Sequence, residues 1–108
     1  MTETLAQKDA RLRAEHRGRA LAEHQPGRRF FLLRHHDITG VSGTGVVADG
    51  VEWPDGTVTI RWRGERPSTV DWGSIDDALH IHGHSGSTEI VWVDPEQPAV
   101  PEQREREA

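Results

Sequence analysis

A chain of 108 residues, 33% apolar and 29% charged, has room for one small domain with a modest core. It has no cysteine and no asparagine, which excludes disulfides, thiolate metal sites and N-glycosylation. The net charge of -5 divides into +4 over residues 1–36 and -9 over residues 37–108, a basic leader on an acidic body. The charged start lacks the apolar run of a signal peptide, and no stretch nears the ~20 apolar residues that cross a bilayer, so a cytoplasmic protein with no membrane association is expected.

Residues 2–25 are rich in Ala, Leu, Arg, Glu and Gln and predict a helix. Thr4 and Gln7 have the spacing of a capping box, and Pro26-Gly27 stops the run. Its apolar face is poor, because Leu5 and Leu12 align while Leu21 falls on nearly the opposite side. Residues 28–35, RRFFLLRH, predict a first strand with apolar residues on both faces. One face suits a core and the other suits the helix, so docking of the helix is expected. A loop with Gly40 and Gly43 follows.

Residues 46–53 predict a second strand, bulged at Asp49-Gly50 where alternation breaks. Pro54-Asp55-Gly56 carries turn chemistry. Residues 57–63 then alternate cleanly, with Val58, Ile60 and Trp62 on one face and Thr57, Thr59, Arg61 and Arg63 on the other. After the connector 64–67, residues 68–72 predict a short fourth strand. Ser74 with Asp77 starts a helical turn over 75–79, and residues 88–93 form the last strand. Pro95, Pro98 and Pro101 favour an extended tail, and QREREA has no apolar anchor, so disorder is expected there.

Three segments result: a basic N-terminal helix or arm over 1–27, a small β-domain over 28–94, and a Pro-spaced charged tail over 95–108. Five short strands with a helical turn before the last have the order of a five-stranded all-β SH3-like barrel, with an oligonucleotide-binding-type barrel as the alternative. Trp53, Trp62, Trp72 and Trp92 are expected to meet in one core.

Chemistry-bearing residues fall into few groups. His80, His82 and His84 would share a face if extended, and three imidazoles there would hold a metal ion, with a hydrolytic site as the active form. Gly83 and Ser85-Gly86 argue instead for a turn, with the imidazoles holding the loop and no cofactor bound. GVSGTG is not a phosphate cradle, since a strand rather than a helix follows and no lysine does. It is not a nucleophile elbow either, because Thr44 stands where the last glycine belongs. Arg11, Arg13, Arg17, Arg19, Arg28 and Arg29 form the basic leader and are the candidate nucleic-acid contacts. Loop rims of a small barrel make a second candidate surface, carrying Ser42, Thr44, Arg66, His82 and His84.

The runs RFFLLRHHDITGVSGTGVVADGVEWPDGTVTIRW and PSTVDWGSIDDALHIHGHSGSTEIVW, over residues 29–92, resemble a family of short uncharacterised proteins of actinobacteria and their phages. The resemblance implies an accessory protein of such a bacterium or phage, and it transfers no catalytic residue. The expected function is therefore a non-enzymatic binding module with a protein partner. A nucleic-acid binder using the basic arm and a histidine-metal protein are the alternatives, and self-association through the N-terminal helix is also allowed.

Overall fold

The computed structural model describes residues 2–37, 43–83 and 86–96. Seven elements follow in order: α1 (Leu5–Glu23), β1 (Arg28–Arg34), β2 (Gly45–Glu52), β3 (Val58–Trp62), β4 (Ser68–Trp72), α2 (Ile75–His82) and β5 (Thr88–Trp92). The strands form one antiparallel sheet in the order β4-β3-β2-β1-β5. The predicted closure into an SH3-like or oligonucleotide-binding-type barrel is not seen, because β4 and β5 are the two edges and do not pair. The apolar face is covered by a helix instead. α2 runs to His82, beyond the turn over 75–79 expected from sequence, and lays Ala78, Ile75 and Leu79 on the sheet.

Strand parity places the core. Phe30 and Leu32 of β1, Ala48 and Gly50 of β2, and Val58 and Ile60 of β3 occupy the face under α2, and all are buried. Trp62, Trp72, Ile90 and Trp92 surround them, half-buried. Phe30 meets Trp92 edge-on at 5.2 Å between ring centroids. The β2 irregularity lies at Val47 rather than Asp49-Gly50: Leu32 pairs with Ala48 and Leu33 with Val46. The extra residue lets consecutive Val47 and Ala48 both be buried, which strict alternation forbids.

The β2–β3 hairpin has the expected turn. Asp55 Oδ1 accepts from the Thr57 N–H at 2.9 Å and from its hydroxyl at 2.6 Å, and Gly56 takes φ 88°. These two bonds hold the Asp55 carboxyl below its ordinary pKa, the side-chain bond contributing most. Trp53 does not join the core. It begins the turn just past β2, is 45% exposed, and donates its Nε1–H to Thr59 Oγ1 at 2.8 Å.

α1 starts on the predicted capping box, with Thr4 Oγ1 accepting from the Gln7 N–H and Gln7 Oε1 from the Thr4 N–H. It buries none of its residues, and Leu5 is 87% exposed, so the expected docking on the second face of β1 is absent. The leucines form no stripe wide enough to cover a sheet. Residues 97–108, on which the expectation of a disordered tail falls, lie outside the described residues.

Candidate functional site

The sheet face opposite α2 carries no covering element among the described residues. Its cross-strand pairs are amphipathic: Val91–Phe31–Asp49–Arg61–Thr69 in one row and Arg29–Val51–Thr59–Asp71 in the next. Phe31, Leu33, Val51 and Val91 are half-buried only by their neighbours, and Val93 beyond β5 is 53% exposed. Part of this face forms a groove of about 370 Å³, with Arg29, Phe31, Asp49, Val51, Arg61 and Val93 among its walls.

Charged pairs frame the apolar floor. Arg29 grips Asp94 through Nε and Nη2 at 2.9 and 2.8 Å, while its backbone N–H donates to the same carboxylate at 2.9 Å. The Arg29 side-chain bonds first, and its backbone N–H second, pull the Asp94 carboxyl down to a pKa of about 2. Arg63 likewise donates twice to Asp49, at 2.8 and 2.9 Å, and holds it below its ordinary value. Arg61 is different. It donates to Thr69 Oγ1 at 3.0 Å and forms no ion pair among the described residues.

The histidines do not meet on a strand. His80 and His82 belong to α2, where residues two apart point in different directions, and His84 lies outside the described residues. Among the described residues no three His, Asp or Glu side chains come together as a metal ion would need. His82 instead sits against two indoles, its ring centroid 4.7 Å from that of Trp62 and 5.5 Å from that of Trp72. Of the remaining rim residues, Thr44 and Arg66 are exposed and Ser42 lies outside the described residues.

Several leader arginines are already engaged. Arg11 bonds Glu3 and Glu15, and Arg13 bonds Asp9. Arg28 stacks 3.7 Å over the Trp92 ring and donates to the Asp94 carbonyl. Arg17 and Arg19 are exposed on α1.

Sequence reasoning missed Arg34 and Asp94, whereas the alternation over residues 57–63 did place Arg61 on the outer face of β3. Arg34 had a usable signal, since it shares the parity of Phe30 and Leu32 and must follow them onto the covered face. Asp94 had none, because its partner Arg29 is 65 residues away.

No helix of the described residues is long and apolar enough to cross a membrane. No curated protein and no solved structure matches the chain. Residues 27–94, which hold the whole sheet and α2 but not α1, match the family described as Acb5 phage protein. The chain belongs to that phage protein family.

Proposed function

We propose that the chain is a non-enzymatic binding protein that docks a protein partner on the open face of β5, β1 and β2. One observation carries this reading: the apolar strip of Phe31, Leu33, Val51, Val91 and Val93 has no element of its own chain over it among the described residues. A two-layer domain that spends half-buried apolar surface on solvent gains by burying it against a partner. The chemistry of that partner follows from the rim. Arg29 and Arg63 already hold carboxylates, whereas Arg61 has none among the described residues, so the matching segment is apolar and carries a carboxylate for Arg61.

The test uses proteins captured by the purified chain from lysate of phage-infected cells, each then purified and titrated directly. Val93→Arg blocks the floor and Arg61→Glu reverses the rim charge, and each should weaken binding by about tenfold or more. Unchanged affinity in both variants refutes the assignment. Loss on Arg17→Glu or Arg19→Glu instead would move the contact to the basic arm. Sedimentation of the chain alone identifies the remaining occupant: a dimer abolished by Val93→Arg makes the partner a second copy.

A further inference from the structure

Arg34 ends β1 on the face opposite the groove, in line with Phe30 and Leu32. It is 4% exposed, among the most buried residues of the chain. Its Nε donates to Thr88 Oγ1 at 3.1 Å across the β1–β5 pair. No carboxylate among the described residues pairs with it, and its Nη groups have no acceptor there. The Gly83 carbonyl beside Thr88 is occupied twice, by the N–H groups of Gly86 and Thr88, both at 3.1 Å.

An arginine stays charged at any ordinary pH, and a buried charge without a counter-ion is costly. Other arginines of the sheet have partners: exposed Arg29 pairs with Asp94, exposed Arg63 with Asp49, and half-buried Arg28 has a carbonyl and an indole face. The Arg34 Nη groups are not among the fully buried side-chain atoms left without a partner, a set that among the described residues holds Trp72 Nε1. A packed stem, an Nε fixed by a hydroxyl and a fork of donors with no acceptor among the described residues suit bidentate capture of two oxygens.

We infer that Arg34 anchors an oxyanion-binding site at the end of β1, taking the phosphate or carboxylate group of a ligand. Thr88 positions the guanidinium and the ligand supplies the missing counter-charge. The site lies on the other side of the sheet from the protein-docking groove, so the two stand or fall separately.

The experiment titrates the ¹⁵N-labelled full chain with sodium phosphate and, separately, sodium acetate, with sodium chloride holding ionic strength constant. The Arg34 Nε–H and the Thr88 amide should shift saturably with at least one anion. A tighter response to phosphate assigns that class, and a tighter response to acetate assigns a carboxylate. Arg34→Lys keeps the charge but loses the fork, and should weaken binding by about tenfold or more. Arg34→Gln, if it folds, should abolish the Thr88 shift. No saturable shift at Arg34 or Thr88 with either anion overturns the proposal, as does an equal response to chloride or full affinity in Arg34→Lys.

Discussion

Gly50 lies directly across the β1–β2 pair from Phe30, and the ring lies over it. A methyl built on Gly50 would stand 2.2, 2.4 and 2.7 Å from Cζ, Cε2 and Cε1 of that ring. Carbon–carbon contact is comfortable only at about 3.5–4.0 Å, so either the ring or the strand must move by more than about 1 Å. The ring has nowhere to go: Phe30 is 2% exposed and its far side meets Trp92 at 5.2 Å. Overpacking of this kind costs about 1–3 kcal/mol. Alanine would return about 0.5–1 kcal/mol of the backbone entropy that glycine loses in a strand. Gly50→Ala is therefore expected to destabilise the domain by roughly 1–2 kcal/mol. The assay is urea unfolding followed by tryptophan fluorescence, with thermal melts as a second probe; each kcal/mol lowers the melting temperature by about 4–8 °C in a domain this small. Phe30→Leu removes the ring edge that clashes, so adding it to Gly50→Ala should give a favourable coupling of about 1 kcal/mol. A Gly50→Ala variant as stable as the wild type, or strictly additive with Phe30→Leu, would refute the stacking of Phe30 on glycine.

Asp94 has a folded pKa of about 2 against an ordinary 3.8, so its carboxylate stabilises the fold above pH 3.8 and that contribution disappears as pH falls toward 2. Melting temperatures of wild type and Asp94→Asn should differ at neutral pH and converge over that acid window; a gap independent of pH would contradict the Arg29–Asp94 assignment. Residues 27–94 alone should unfold within about 0.5 kcal/mol of the full chain, because α1 buries nothing, while the helical circular dichroism signal of α1 is lost. An unfolded 27–94 fragment would mean that α1 supports the sheet. Thr59 accepts from Trp53 Nε1 at 2.8 Å and donates to Asp71 Oδ1 at 2.7 Å, so Thr59→Val should cost about 1 kcal/mol in urea unfolding, and no change would deny the relay any weight.

The sequence by itself determined the elements and most of their faces. Thr4 and Gln7 fixed the start of α1, Pro54-Asp55-Gly56 fixed the hairpin, and the alternation of Val58, Ile60 and Trp62 assigned the buried side of β3. These depend on contacts within a few residues, which local chemistry settles. The buried parity of Arg34 was equally readable from Phe30 and Leu32. Tertiary structure alone decided what each face meets. The sheet stays open because α2, running on to His82, covers the apolar side that closure would otherwise bury. Extended helically, the histidine segment brings His82 against Trp62 and Trp72 rather than aligning imidazoles along a strand. Arg29 finds Asp94 across 65 residues of chain, and Arg34 finds Thr88 across 54 but no carboxylate among the described residues. Burial and counter-charge are properties of the assembled sheet, since the groups that supply or withhold them come from strands far apart in sequence.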